Sequence, residues 1–158
     1  MNGKAVLFKG VNRADTDPDH GRQVPRSRHE QDVALMKQLN VNAVRTAHYP
    51  SDPYFYDLAD RHGIWIDDEV EVETHAHEHC PDNCLADKSE WQDAFLDRFV
   101  GMIQRDKNHP SVFMWDTGKR PASARRTTRW PSGRDAAQAR WEPLPVDPVL
   151  HGVLERSP

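Results

Sequence analysis

With 158 residues the chain has the length of one domain and falls well short of the ~250 residues of a complete (β/α)8 barrel. Its net charge of −4 joins two unlike parts: residues 1–118 hold 21 acidic and 13 basic side chains, whereas residues 119–158 hold 4 and 8, with 6 of the 12 prolines. No apolar run approaches the ~18 residues of a membrane span, which excludes that class, and the basic tail lacks the aromatic platform or motif that would suggest nucleic acid.

Ala5-Val6-Leu7-Phe8 reads as a buried first strand, stopped by Lys9-Gly10. Asp15 to Gly21 is a loop. From Ser27 to Asn40, Val33, Leu35, Met36 and Leu39 recur at helical spacing, with Ser27 and Glu30 in capping-box positions. Val41 to Arg45 forms the second strand. Pro53 opens a helix that runs to His62 and ends at Gly63. Ile64-Trp65-Ile66 starts the third strand, which closes on the acidic Asp67-Asp68-Glu69.

After a Thr, His, Cys, Pro and Asp loop, Ser89 or Asp87 caps a helix with Trp91, Phe95, Leu96, Phe99, Met102 and Ile103 on one face. Arg105 and Lys107 suit the negative end of its dipole. Val112 to Trp115 is the fourth strand. The order β-α-β-α-β-α-β implies parallel strands, a partial (β/α)8 barrel of about four units over residues 1–118. Residues 119–158, rich in Pro and Arg and without a 2.0 or 3.6 period, are expected to be a disordered, solvated tail. No signal peptide precedes Asn2, and Cys80 and Cys84 alone make no disulfide framework, so the cytoplasm is the expected location.

In a parallel barrel the chemistry sits where the strands end. His48 lies just past the second strand, Glu73 and His75 follow the third, and Lys119-Arg120 follow the fourth. A loop histidine packed by Tyr49 and Pro50 is the plainer reading of His48. His75, His77, His79, Cys80 and Cys84 offer the donors for zinc or nickel, although their spacing matches no standard zinc motif.

Several runs carry a resemblance. They are Gly10-Val11-Asn12-Arg13, Asn42 to Pro50 with Arg45-Thr46-Ala47-His48-Tyr49-Pro50, Asp52 to Tyr56, Asp68-Glu69, Glu73-Thr74-His75 and Arg105 to Val112. Together they resemble the catalytic barrel of glycoside hydrolase family 2, and within it the β-galactosidases, across residues 2–118. β-Glucuronidases share the motif around His48, but Glu73-Thr74-His75 looks more like β-galactosidase. The resemblance implies a TIM barrel and retaining hydrolysis of terminal β-galactosides by two glutamates about 5–5.5 Å apart. It implies that His48 contacts the sugar and that Glu73 and His75 ligate a catalytic-site Mg2+.

The same comparison shows departures. Where the family ends its fourth strand on W-S-L-G-N-E, the chain reads Trp115-Asp116-Thr117-Gly118-Lys119-Arg120. The acid/base position holds Arg120, which cannot act as an acid near neutral pH, and two cations disfavour a divalent ion. Ala14 stands where the family has a substrate-contacting histidine, and the nucleophile belongs to the later half of the barrel. The abrupt change reads as truncation or a frame slip. Codons for Lys119 to Arg125 exist that, shifted by one base, spell the family's E-A-G-L-G-A, and the coding DNA tests this. No catalytic residue is intact, so the expectation is a β-galactosidase barrel piece with little or no activity alone and with Mg2+ not held tightly. The other readings are a weak galactoside-binding module and a metal-binding fragment using the His/Cys loop. Expected partners are β-galactoside sugars, together with self-association or a missing barrel half, and neither nucleic acid nor membrane.

Overall fold

Alternation along a strand sends Val44 and Thr46 to one face and Ala43 and Arg45 to the other. In the computed structural model, which describes residues 3–73 and 88–118, these four residues form β2 (Ala43–Thr46) in a four-stranded sheet ordered β1-β2-β3-β4. The other strands are β1 (Gly10–Arg13), β3 (Trp65–Glu69) and β4 (Val112–Asp116). Every neighbouring pair is parallel. Helices α1 (Arg26–Gln38), α2 (Pro53–His62) and α3 (Gln92–Asp106) make the connections, with a 3-10 turn at Ser89–Trp91 leading into α3. The half-barrel order of strands and helices expected from sequence is therefore present.

The core lies between the sheet and its helices. Val33 and Met36 of α1, Phe55, Tyr56, Leu58 and Ala59 of α2, and Val44, Ile64 and Ile66 from the sheet side form one buried cluster. At ~25 cal/mol per Å2 of apolar surface removed from water, this is the main source of stability. Helix α2 has the boundaries its sequence dictates. Asp52 accepts from the Tyr54 N–H at 2.8 Å, Pro53 sits where no N–H is needed, and Gly63 takes the left-handed turn at φ 65°.

Two expectations fail in the first quarter of the chain. The first strand is not Ala5 to Phe8 but Gly10–Arg13, and Val6, Leu7 and Phe8 are all exposed, Leu7 by 73%. Asn42 explains the difference. Its Oδ1 accepts from the Lys9 N–H at 2.7 Å and its Nδ2 donates to the Leu7 carbonyl at 2.9 Å, so its side chain holds this lead-in, to which the backbone adds the bond from the Asn42 N–H to the Lys9 carbonyl at 3.1 Å. The second failure concerns α1, which buries His29, Val33 and Met36 and leaves Leu35 and Leu39 exposed. Its N-cap is Pro25, with no side-chain cap. Ser27 lies inside the helix, and Glu30 accepts instead from the Tyr54 hydroxyl at 2.5 Å, so the capping box does not form.

The sheet curls. In a flat sheet the first and fourth strands stand roughly 14 Å apart. Phe8, just before β1, nevertheless stacks on Phe113 of β4 with ring centroids 4.4 Å apart, and Trp65 meets Phe113 edge-on at 6.2 Å. These aromatic rings floor the amino-terminal end of the concave face. Among the described residues, no helix is long and apolar enough to cross a membrane. The tail at 119–158 and the His/Cys loop at 74–87 lie outside the described residues.

Candidate functional site

At the other end of the strands the concave face turns from aromatic to charged. Register places Asn12 opposite Arg45 and Arg45 opposite Asp67, while Glu69 lies opposite Asp116 one step further toward the carboxyl ends. Arg45 is tied through all three of its nitrogens. Nε donates to Asp116 at 3.2 Å, Nη1 to Asn12 Oδ1 at 3.2 Å and Nη2 to Glu69 Oε1 at 2.7 Å. His48, two residues beyond β2, places Nδ1 3.2 and 3.3 Å from the two oxygens of Glu69. The Ala47–His48 peptide is cis. A concave space of about 540 Å3 opens on this face; Asn12, Arg45 and Asp67 line it together with Phe8, Phe113 and Met114 of the aromatic end, so it reaches the charged cluster from below and is not lined by His48 or Glu69.

The electrostatics follow from three carboxylates facing one guanidinium. Burial, and next the negative charge of Asp116, push the Asp67 carboxyl up to about 6, and its Oδ1 is buried without a hydrogen-bond partner among the described residues. Glu69 is fully buried and remains paired on both sides, by Arg45 and by His48. A cleft built in this way suits a neutral polyhydroxylated ligand, whose hydroxyls can both donate to carboxylates and accept from nitrogen.

Behind the sheet a second polar network holds the strand ends. Tyr56 donates to Asp68 Oδ1 at 2.6 Å, and Thr46 Oγ1 donates to the same atom at 3.3 Å while accepting from the Glu69 N–H at 2.9 Å. Arg105 reaches across from α3 to the Ser51 carbonyl at 3.0 Å and pairs with Asp106 at 2.7 Å. Burial raises Asp68 to about 7 and drives the Tyr56 hydroxyl upward as well. The loop before α1 is fixed by Arg13, whose guanidinium sits over Phe55, pairs with Asp15 and lies 2.9 Å from His29 Nδ1.

Of the residues expected from sequence, His48 is where the strand pattern put it, half-exposed at the rim. Glu73 is exposed and ends the segment that follows β3. That segment is pinned by the Val70 N–H donating to the Asp116 carbonyl at 3.0 Å and by Arg98 donating to the Glu71 carbonyl at 3.0 Å. His75, Lys119 and Arg120 lie outside the described residues. Among the described residues, no group of three or more His, Cys, Asp or Glu side chains is set to hold a metal ion; of the two donors expected for Mg2+, Glu73 is among these residues and His75 is not. Ala14 is exposed and adds no side-chain donor to the rim. Sequence reasoning missed the role of Glu69. The alternation of Asp67, Asp68 and Glu69 could have found it, since the first and third must share the face that Arg45 occupies.

Comparison with known proteins agrees with this geometry. Residues 1–132 match the family described as Glycosyl hydrolases family 2, TIM barrel domain. Over 118 residues, 75% of the chain, the sequence is 46% identical to a β-galactosidase of Yersinia enterocolitica and 43% identical to one of Vibrio cholerae. The chain spans only 11% of the length of either relative. Among solved structures, a Bifidobacterium dentium β-glucuronidase complexed with coumarin-3-O-glucuronide is similar with a TM-score of 0.66 and 32% identity, covering 87% of this chain and 20% of that one. An Eisenbergiella tayi β-galacturonidase bound to galacturonate gives 0.61 and 31%, covering 72% of this chain and 19% of that one. The parallel strands, the charged cleft at their carboxyl ends and the match over most of its length place the chain in glycosyl hydrolase family 2, as part of its TIM barrel domain.

Proposed function

We propose that the chain carries the sugar-facing first half of a retaining β-galactosidase barrel, and that these 158 residues by themselves hold a terminal β-galactoside without hydrolysing it. The observation that carries the reading is the Glu69 carboxylate joining Arg45 and His48 at the carboxyl edge of the sheet. Identity to β-galactosidases of 43–46%, against 30–32% to the structurally similar β-glucuronidases, favours galactosides over glucuronides. His48 is the residue proposed to touch the sugar. Glu73 and His75 are the proposed Mg2+ donors, and Lys119 and Arg120, standing where an amide and a carboxylate are expected, weaken that site by adding positive charge. The proposed partners are a β-galactoside and further strands beside β1 and β4, from another copy or another part of the barrel. The cytoplasm is the proposed location.

Absence of turnover follows from chemistry. Retaining hydrolysis needs an acid to protonate the leaving oxygen, and arginine at position 120 cannot supply that proton; losing a general acid costs ~10²–10⁴ in rate. The test is hydrolysis of a chromogenic β-galactoside by protein free of host β-galactosidase, with and without Mg2+. No turnover above background is expected. Robust turnover that Glu73→Gln abolishes would contradict the proposal and show a rebuilt active site.

A binding role alone has one specific observation in its favour. His48 is anchored through Nδ1 on a buried carboxylate while its ring remains half-exposed, an arrangement that suits a fixed ligand contact.

A further inference from the structure

We propose that Glu69 is the positioning residue of this site: its carboxylate locks His48 as the Nδ1–H tautomer and presents Nε2 as a hydrogen-bond acceptor for a hydroxyl of a β-glycoside. The inference rests on the proposed sugar site and names how its contact residue is held. Glu69 is wholly buried, and Arg45 Nη2 donates to its Oε1 at 2.7 Å. A carboxylate facing a guanidinium has only lone pairs to offer, so the hydrogen shared with His48 belongs to Nδ1. A neutral imidazole with its proton on Nδ1 has its lone pair on Nε2, and the hydrogen bonds of the His48 ring to described residues both run through Nδ1.

Glu69 is itself held at both side chain and backbone, which is what distinguishes a positioning group from a passing contact. Its backbone N–H donates to Thr46 Oγ1 at 2.9 Å, tying the ends of β2 and β3 together. Arg45 is fixed in turn by Asn12 at 3.2 Å and by Asp116 at 3.2 Å, so all four strands contribute to the placement of one imidazole. Nothing in the arrangement requires Glu69 to touch the reacting atoms. Its effect on a sugar passes through His48.

The experiment uses the 158-residue chain with 15N-labelled histidine. Long-range 1H–15N spectra are recorded at pH 8, where an ordinary imidazole is neutral. The wild type is expected to carry the His48 proton on Nδ1. Glu69→Gln keeps that tautomer, because the amide oxygen still accepts. Glu69→Leu moves the proton to Nε2, and affinity for isopropyl β-D-thiogalactoside falls about tenfold as the acceptor is lost. Glu69→Leu also strands the Arg45 guanidinium, so Arg45→Met/Glu69→Leu is measured beside it and reads the tautomer without an unpaired charge.

A wild-type ring protonated on Nε2, or doubly protonated at pH 8, overturns the proposal. So does an Nδ1–H tautomer that survives in both leucine variants. The two readings fail differently. A Glu69-dependent Nδ1–H tautomer with no thiogalactoside response at His48 leaves the positioning standing and removes the sugar site. Thiogalactoside binding at an Nε2–H ring does the reverse.

Discussion

Gly118 takes the left-handed conformation at φ +77°, and a Cβ there would stand 2.6 Å from the Val72 carbonyl oxygen. Backbone is on both sides of that contact, so neither can yield cheaply. Gly118→Ala is therefore expected to cost ~1–3 kcal/mol and to loosen the segment that carries Glu73, read as a lower denaturant midpoint. Gly101 gives the opposite sign. It lies inside α3 with nothing within 4 Å of its added Cβ, so Gly101→Ala should stabilise by ~0.5–1 kcal/mol. Asp68 supplies a pH test. Its folded carboxyl is raised from 3.8 to about 7 by burial, so between roughly pH 4 and 7 the unfolded chain ionises this group while the folded chain keeps it protonated. Its contribution to stability therefore falls as pH rises through that window and is level beyond it. Asp68→Asn keeps an acceptor for the Tyr56 hydroxyl and cannot ionise. The stability of the variant relative to wild type should grow from pH 4 to 7 and then flatten, and a difference that is constant or shrinks with pH would count against the assignment.

The elements show where sequence pattern carries information and where it does not. Helix α2 could be read to the residue because Asp52, Pro53 and Gly63 act locally, each within one turn of the position it specifies. Strand β1 could not. The apolar run at 5–8 has strand composition, yet the register that pairs Gly10 with Ala43 and the two hydrogen bonds from Asn42 depend on a residue more than thirty positions away. Asn42→Ala should release the lead-in at 7–9 and lower stability by ~1–3 kcal/mol, with faster amide exchange at Lys9 as the local sign. The same distinction divides the candidate site. His48 could be placed from its position after a strand, whereas Glu69 reads as one acid among three until the pleat puts it beside Arg45. Leu35 and Leu39 misled for a related reason: helical spacing finds an apolar stripe but not which neighbour covers it, and His29 took the buried place.

At the largest scale, the four described strands form one curled sheet. Among the described residues β1 and β4 each have one strand neighbour, and Val6, Leu7, Phe8, Val11 and Met114 remain exposed on or beside the concave sheet. Open edges flanked by apolar surface favour association, and at ~25 cal/mol per Å2 a few hundred Å2 left uncovered is comparable with a total stability of ~5–15 kcal/mol. Sedimentation of the purified chain should show self-association that grows with concentration; a compact, cooperatively melting monomer would contradict this. The central claim is narrower: the carboxyl end of the sheet, built on Arg45, His48 and Glu69, is a site for a β-galactoside. The most direct measurement is titration of the 158-residue chain with isopropyl β-D-thiogalactoside, followed by amide and histidine-ring chemical shifts. The account predicts changes centred on Asn12, Arg45, His48, Glu69 and Asp116; changes centred instead on the aromatic end at Phe8 and Phe113, or none at millimolar ligand, would contradict it.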